Sequence, residues 1–257
     1  MNSITDFVEM LRTINPDLDS YDMFEMIKDN EKLLKNRKGI RIMKTIDIIA
    51  DINTYLKTEN KAILTDLLNT LQTDYRHEEA KKQGGNVALK RQKIAEKVLK
   101  TNQKDSIRPA LFKCFTEEIN GDMMQIFGNA YFLIALKEEY KTGADTHTPE
   151  EMQKIEFRPS KFFDFSGGTY NRIDFDIVDI KQKLAEFKAE QKQRTAKDRK
   201  NYKPIFKLGN TGYNAEYFID IVEALGGDAV LYQNEKSSGI SYFEAEAGKA
   251  LLCPCRL

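Results

Sequence analysis

Apolar side chains recur at helical spacing through the first 80 residues of the chain. The intervals of three and four residues are clearest in Ile4–Ile14 and again in Leu64–Leu71. An apolar stripe with this period is the face that an amphipathic helix buries. The pattern therefore predicts a small all-helical domain over residues 1–83.

A pair of glycines, Gly84 and Gly85, follows a polar stretch and is the best candidate boundary in the chain. After it, Val87 to Lys100 form a basic segment with Ile94 and Val98 at helical spacing. We expect one amphipathic helix here, with lysines on its polar side.

Three short apolar runs come next, and turn residues separate them. Asn120-Gly121 lies between the first two runs and Gly128-Asn129 lies before the third. Asn-Gly between apolar runs is a strong hairpin signal. The segment therefore predicts a three-stranded meander, with strands at Leu111–Phe115, Met123–Phe127 and Tyr131–Leu136.

Residues 137–203 contain most of the remaining loop markers and one long charged segment. Ile155–Phe157 is a possible short strand, and Asp176–Lys203 has the apolar spacing of a helix in its first half. We interpret this part of the chain as an insertion between two more regular regions.

The end of the chain repeats the order of a helix followed by strands. Ile205–Leu208 predicts a strand, and Asn214–Leu225 predicts a helix that Asn214 caps and Gly226-Gly227 ends. Three further strands are predicted at Ala229–Gln233, Ser241–Glu244 and Lys249–Pro254. A helix and three strands thus occur twice, at 87–136 and 214–257. This repeat predicts an α+β domain over 86–257, with two pseudo-symmetric halves in which helices pack on an antiparallel sheet.

Composition restricts the function only loosely. Hydrophobic residues make up 41% and charged residues 31% of the chain, which is ordinary for a folded protein. Lys+Arg and Asp+Glu balance at 40 each, so that affinity for nucleic acid would need local clusters of charge. The sequence shows neither a signal-peptide pattern nor an apolar run of membrane-spanning length, and its three cysteines make a poor disulfide framework. We expect a cytoplasmic protein that does not enter a membrane.

Four motifs, in order along the chain, resemble a domain of the DNA polymerase III beta-type sliding clamps of bacteria and phages. Arg108-Pro109-Ala110-Leu111 is similar to the short signature after the first helix of a clamp domain, and Met124–Leu133 occupies the place of a characteristic strand pair. That pair has Phe132 where the family has arginine. Tyr213–Asp220 resembles the segment that opens the last clamp helix, and Ala250–Leu257 resembles the closing strand. The resemblance covers 86–136 and 204–257; it covers neither 137–203 nor the helical region before it.

The resemblance implies a protein that performs no bond chemistry and holds duplex DNA through basic helices. Contacts of this kind need cations placed against phosphates rather than side chains that contact base edges. The candidate DNA-binding residues form one basic helix face and a second basic cluster: Lys90, Lys93, Lys97 and Lys100, and then Lys192, Arg194, Lys197, Arg199 and Lys200. The alternative for both clusters is a solvated charged face. The helix 214–225 argues against simple encirclement, because Glu216, Asp220 and Glu223 make it acidic.

The resemblance also implies a pocket for short peptides of replication proteins. Its first wall would be the end of the chain, Pro254, Cys255, Arg256 and Leu257, and its second wall would be Tyr131, Phe132 and Leu133. In clamps the second wall belongs to a neighbouring domain, so we expect the two walls to meet only across a subunit interface. Alternatively, all of these residues only complete the sheet.

The catalytic alternatives have little support. His77 and His147 are the only histidines, and they lie in polar surroundings. Cys253 and Cys255 with the distant Cys114 could form a metal or redox set, and Asp174, Asp176 and Asp179 could bind a divalent ion in a nuclease. We weigh both as minor possibilities, and expect no catalytic residue, no metal and no cofactor.

Two functional hypotheses remain. The first is a non-enzymatic, clamp-like factor of DNA replication or DNA tethering, for which a phage or mobile element would be a natural source. A ring would then require self-association, because the chain contains a single clamp-like domain. The second is a clamp-like module for protein–protein interaction that does not encircle DNA.

Overall fold

The computed structural model describes residue 54 and residues 61–105, 108–194 and 203–256. The chain divides into two compact units, Met1–Tyr75 and Arg76–Leu257. In the first unit the described residues are helical, and the helices predicted before residue 54 lie outside the described residues. The separate helical domain over 1–83 therefore stays a prediction.

Four α-helices and nine strands are present in the described residues. The helices are α1 Lys61–Asp105, α2 Pro149–Lys154, α3 Ile177–Gln193 and α4 Ala215–Leu225. The strands are β1 Phe115–Ile119, β2 Asp122–Gly128, β3 Phe132–Lys137, β4 Tyr170–Ile173, β5 Ile205–Leu208, β6 Thr211–Asn214, β7 Val230–Asn234, β8 Ser241–Ala245 and β9 Gly248–Leu252. The α+β class expected from the sequence is confirmed.

Helix α1 is interrupted at the two glycines that the sequence marks as a boundary. Gly84 has φ −145° and ψ 24°, and Gly85 has φ 63° and ψ −145°, so neither is helical. The residues on both sides of this pair are helical. The predicted helix over Val87–Lys100 is thus the middle of a segment that runs from residue 86 to Asp105.

Seven strands form one sheet in the order β1-β2-β3-β9-β8-β7-β4, and β5 pairs with β6 in a separate hairpin. Every neighbouring pair is antiparallel. At the centre, β3 pairs with β9, and Ile134 lies opposite Ala250. The two meanders, β1-β2-β3 and β7-β8-β9, therefore meet through their last strands, and each follows a helix in the chain.

The first predicted strand is placed too early. Pro109–Phe112 forms a turn of 3-10 helix, and β1 begins at Phe115. Proline favours the first turn of a helix, because its φ is already helical and it has no N–H to pair. The predicted turn at Asn120-Gly121 is confirmed, since both residues have positive φ, 54° and 91°.

The possible strand at Ile155–Phe157 is wrong, because these residues are not in a strand. The guanidinium of Arg158 donates hydrogen bonds to the carbonyl oxygens of Met152, at 3.0 Å, and Phe157, at 3.1 Å, and also to that of Ile155. These carbonyls are satisfied by a side chain rather than by a sheet neighbour. Before them, Thr148 and Glu151 form a capping box that starts the short helix α2.

Both faces of the sheet are covered in the second unit. On one face, the main core packs residues 86–105 of α1, helix α4 and Ile180 of α3 against the sheet. On the other face, a second cluster packs β1, β2 and β3 against residues from the 149–165 segment, including Phe163. The part of the chain interpreted as an insertion thus contributes to both cores.

Helix α4 has well-defined ends. The Asn214 side chain accepts hydrogen bonds from the backbone N–H groups of Glu216 and Tyr217, which confirms the predicted cap. At the other end, Gly226 has φ 107° and stops the helix in the left-handed region. The buried Arg91 donates from Nε to the carbonyl oxygen of Ala224 at 2.7 Å. Helix α1 therefore supplies a cation to the negative end of the α4 dipole.

The centre of the sheet leaves no room for a side chain at Gly248. Its φ is 153°, and a Cβ atom there would lie 2.0 Å from the carbonyl oxygen of Ala135 on β3. We expect Gly248→Ala to lower the free energy of unfolding by about 2–4 kcal/mol, because strand β9 would be pushed from β3. Urea unfolding followed by circular dichroism measures this.

Gly167→Ala is the matched control, because a Cβ at Gly167 would meet no atom within 4 Å and its φ is not positive. We expect a change within about 0.5 kcal/mol there. Equal effects at the two positions would contradict the close β3–β9 contact.

Candidate functional site

The two predicted walls of the peptide pocket meet within this one chain. The backbone N–H of Cys253 donates to the carbonyl oxygen of Tyr131 at 2.8 Å. This bond extends the β3–β9 ladder by one residue beyond the pair of Phe132 and Leu252. The expectation that the walls meet only across a subunit interface is therefore wrong. The reason is that β3 and β9 are neighbouring strands of the same sheet.

The second predicted wall is largely buried. Phe132 is 1% exposed and belongs to the main core, while Leu133 is 5% exposed and belongs to the cluster on the opposite face. Successive residues of a strand point to opposite faces, and both faces are covered here. Tyr131 alone is 53% exposed, so it is the one residue of this wall that a partner could contact.

Tyr131 lies beside Tyr217 on helix α4. Their rings are stacked, with centroids 5.9 Å apart and planes 16° apart, and Tyr217 also contacts Phe132 at 5.1 Å. The Asn129 carboxamide oxygen accepts hydrogen bonds from the backbone N–H groups of Tyr131 and Phe132, which fixes the turn before β3. Burial, the neighbouring Tyr131 and the negative charge of Glu216 raise the pKa of Tyr217.

Tyr217 is not among the residues that the sequence predicts for the pocket. Its place in the motif Tyr213–Asp220 is the signal that could have added it to the site. We name Tyr131, Tyr217 and the end of the chain, Cys253–Arg256, the tail patch.

The end of the chain is anchored on two sides. Besides the bond from Cys253 to β3, the backbone N–H of Cys255 donates to the carbonyl oxygen of Gly212 on β6 at 2.8 Å. Pro254 and Cys255 are partly buried and Arg256 is exposed, while Leu257 lies outside the described residues. The tail is thus an ordered margin of the patch, with Arg256 as its accessible charge.

The three cysteines do not form one set. Cys114 is buried beside β1, where burial, followed by the charge of Asp145, raises the pKa of its thiol to about 12. Burial also raises the pKa of Cys253 and of Cys255, and each thiol remains partly exposed. Cys253 and Cys255 are two residues apart, and residues at this spacing share a face of an extended strand, so the spacing alone does not exclude that the two thiols act together. In the described ranges, no three His, Cys, Asp or Glu side chains are grouped as metal ligands.

The lysines of α1 split into two groups. Lys90 and Lys97 contact acids of α4: Lys90 Nζ lies 3.3 Å from Glu223 Oε1, and Lys97 Nζ lies 2.7 Å from Asp220 Oδ2. Lys93 and Lys100 are exposed, and neither forms an ion pair with another residue of the described chain. The four residues predicted as one DNA-binding face are therefore not equivalent.

Helix α3 contacts the same acidic helix from its other side. Lys181 Nζ lies 2.6 Å from Glu223 Oε1, and Lys188 Nζ lies 3.0 Å from Glu216 Oε1. Every acid on the exposed side of α4 is thus paired with at least one lysine. We name this set of three carboxylates and four lysines the charge array: Glu216, Asp220, Glu223, Lys90, Lys97, Lys181 and Lys188.

Within the charge array, the pKa values of Asp220 and Glu223 are shifted in opposite directions. Burial raises the pKa of Asp220, against the opposing effect of Lys97. For Glu223, burial alone would raise the pKa, but Lys181 and Lys90 outweigh it and hold the pKa below its ordinary value. A carboxyl with a lowered folded-state pKa adds stability above its unfolded pKa and loses it as the pH falls. Glu223 therefore contributes to stability at neutral pH.

The second predicted basic cluster is only partly within the described residues. Lys192 and Arg194 are exposed at the end of α3, and Lys197, Arg199 and Lys200 lie outside the described residues. The helix predicted over Asp176–Lys203 begins at Ile177, with Asp176 as its cap, and ends at Gln193. The structure places Lys192 on the helix that also carries the array's Lys181 and Lys188.

The residues of the catalytic alternatives have structural partners. Asp176 accepts a hydrogen bond from the Val178 backbone N–H at 2.8 Å, and Asp179 pairs with Lys183 at 2.6 Å. The Asp174 side chain is 95% exposed. These three aspartates thus do not converge on one point.

The two histidines contact different residues. His77 Nε2 lies 2.6 Å from Glu96 Oε2, whereas the His147 side chain is 7% exposed and its Nε2 lies 2.8 Å from the carbonyl oxygen of Ala110. A carbonyl oxygen only accepts, so this Nε2 is the donor. Each histidine thus has a local partner rather than a shared site.

Within the described ranges, no helix combines the length and the apolar character that crossing a membrane requires.

Comparison with known proteins gives no match to any protein-family model, any curated protein or any solved structure. The clamp resemblance consequently rests on the four sequence motifs.

The cysteines give a direct check on the burial of this region. In the native protein at pH 8 we expect iodoacetamide to modify Cys253 and Cys255 slowly. Cys114 should react at least on the order of a hundredfold more slowly, because it is buried and its pKa is about 12. Peptide mass spectrometry over time measures the rates.

The variants Cys253→Ser and Cys255→Ser assign the two faster rates, and denaturant should make Cys114 equally reactive. Modification of Cys114 in the native protein at the rate of the tail thiols would contradict its placement.

Proposed function

We propose that this protein is a non-enzymatic, sliding-clamp-like factor of DNA replication or DNA tethering, which binds a replication partner through the tail patch. The observation that carries the proposal is the contact between Cys253 and Tyr131. It brings together the two segments to which the clamp resemblance assigns partner binding.

The topology of the sheet supports the proposal. Each meander follows a helix, and the helical segments 86–105 and Ala215–Leu225 pack on the same face of the sheet. Lysines on the outer side of the 86–105 helix would approach a duplex without any contact to base edges, as tethering without sequence preference requires.

The chemistry of the tail patch supports a peptide partner. Tyr131 offers an exposed aromatic face, Tyr217 packs against it, and Arg256 adds a cation at the margin. Aromatic side chains and arginine are the residue types that contribute most to binding at protein interfaces. The patch would accept an apolar anchor with an acidic group next to it.

The exposed lysines Lys93 and Lys100 are the best candidates for phosphate contacts, since Lys90 and Lys97 already pair with α4. Substitution of Lys97 would also leave Asp220 without its partner, so it would report on stability as well as on DNA. Lys93 and Lys100 avoid this ambiguity.

A second function has one observation in its favour. Because the array occupies half of the predicted basic face on α1, the helix surface has less charge for DNA than the sequence suggests. The alternative is a clamp-like interaction module that uses the tail patch and does not encircle DNA.

Encirclement would give a signal that depends on DNA topology. We expect the protein at tens of micromolar to sediment as an oligomer and to be retained on nicked circular plasmid during gel filtration. Linearisation of the same plasmid should release it, because a ring slides off free ends. A monomer that is not retained on the circle would contradict the ring.

Lys93→Glu with Lys100→Glu should weaken binding to a duplex of 30 base pairs by about tenfold or more. It should also reduce the slope of log K against log salt by about 2, since roughly one counterion is released for each phosphate contact. Fluorescence anisotropy across a salt series measures both quantities.

Lys207→Glu with Lys236→Glu is the matched control, because both side chains are exposed and make the same change in net charge. An equal loss in the two variants would show a general charge effect. An affinity for duplex DNA that neither double variant changes would favour the interaction module.

A further inference from the structure

We infer that the three carboxylates of α4 act as internal counter-ions, which occupy the lysines of α1 and α3 and so limit the affinity of this helix surface for DNA. The inference rests on the proposed function, because it concerns how the same surface would meet a duplex. It adds a restraint on DNA affinity that the fold itself supplies.

The carboxylates accept from the lysine ammonium groups, which would otherwise be available to donate to the phosphates of a duplex. Glu216, Asp220 and Glu223 lie four and three residues apart, so they form one row along the helix. Lysines reach this row from α1 on one side and from α3 on the other, at 2.6 to 3.3 Å. An ammonium paired with a carboxylate must release it, or share its donors, before it can bind a phosphate oxygen.

The two sides of each ion pair differ in exposure. The side chains of Asp220 and Glu223 are 13% and 24% exposed, whereas the lysines that contact them are 45% to 57% exposed. A phosphate can therefore approach the lysines, whereas Asp220 and Glu223 lie beneath them; in the fourth pair, Lys188 and Glu216 are 54% and 40% exposed. Moving Lys97 to a phosphate would leave the partly buried Asp220 without its partner, which is costly.

The array also cancels most of its own charge. Its four lysines face three carboxylates, so that a duplex would meet one net positive charge. If the carboxylates became neutral amides of the same shape, all four lysines would be available. Additional phosphate contacts strengthen binding and steepen its salt dependence together.

The test is the triple variant Glu216→Gln, Asp220→Asn and Glu223→Gln. We expect it to bind a duplex of 30 base pairs about tenfold more tightly or better at 50 mM salt. The slope of log K against log salt should increase in magnitude by about 2–4, one for each lysine that gains a phosphate. Anisotropy titrations of the full chain measure both.

The matched control is Glu118→Gln, Asp122→Asn and Glu235→Gln, which adds the same charge. These side chains are exposed and form no ion pair with any residue that the structure describes. The control should change the affinity by less than about threefold. Equal gains in the two triple variants would overturn the inference.

The partly buried Asp220 could affect folding when it is changed, so the double variant Glu216→Gln with Glu223→Gln provides a second measurement. It releases three of the four lysines, Lys90, Lys181 and Lys188, so it should give about three-quarters of the increase in slope, with the circular dichroism spectrum of the unchanged protein. The double variant with the affinity of the unchanged protein would overturn the inference.

The inference and the proposed function fail in different ways. If Lys93→Glu with Lys100→Glu abolishes DNA binding and the acid variants change nothing, the inference is wrong and the DNA-tethering proposal stands. If no variant binds duplex DNA, even with the array neutralised, both the inference and the DNA-binding proposal are wrong.

Discussion

The pairing of β3 with β9 joins the two halves of the second unit. Each strand is the last of its own meander, and without their ladder the meanders would be two small sheets with unpaired central edges. The ladder lets one core run under both halves, and it aligns the end of the chain with Tyr131. The backbones of β3 and β9 are so close at Gly248 that the contact leaves no room for a side chain there.

The helices depend on the same sheet and on each other. Arg91 of α1 binds the carbonyl end of α4, and the lysines of α1 and α3 pair with the acids along its outer side. An acidic helix that contacts lysines of two neighbouring helices is electrostatically reasonable, since it reduces the repulsion among these lysines on one surface. The cost is that fewer cations remain for an external polyanion.

Much of the local structure follows directly from residue patterns. The Asn120-Gly121 turn, the Asn214 cap and the Gly226 stop were predictable, because each depends on a conformation that only a few residue types favour. The start of β1 was not predictable in the same way. An apolar run does not show where a turn begun by proline ends and a strand begins. The start of β1 depends on which residues of β2 pair with it, and that ladder begins with Phe115 opposite Ile126.

The sequence alone determined the α+β class, the doubled order of one helix and three strands, and the positions of the charged side chains. Tertiary structure decided which of these features meet. It placed the tail beside Tyr131, buried Phe132 and Leu133 on opposite faces, and paired Lys90 and Lys97 with α4. The physical reason is that periodicity fixes which face a residue occupies on its own element, whereas the partner of that face depends on strand order and on contacts between residues more than 100 positions apart.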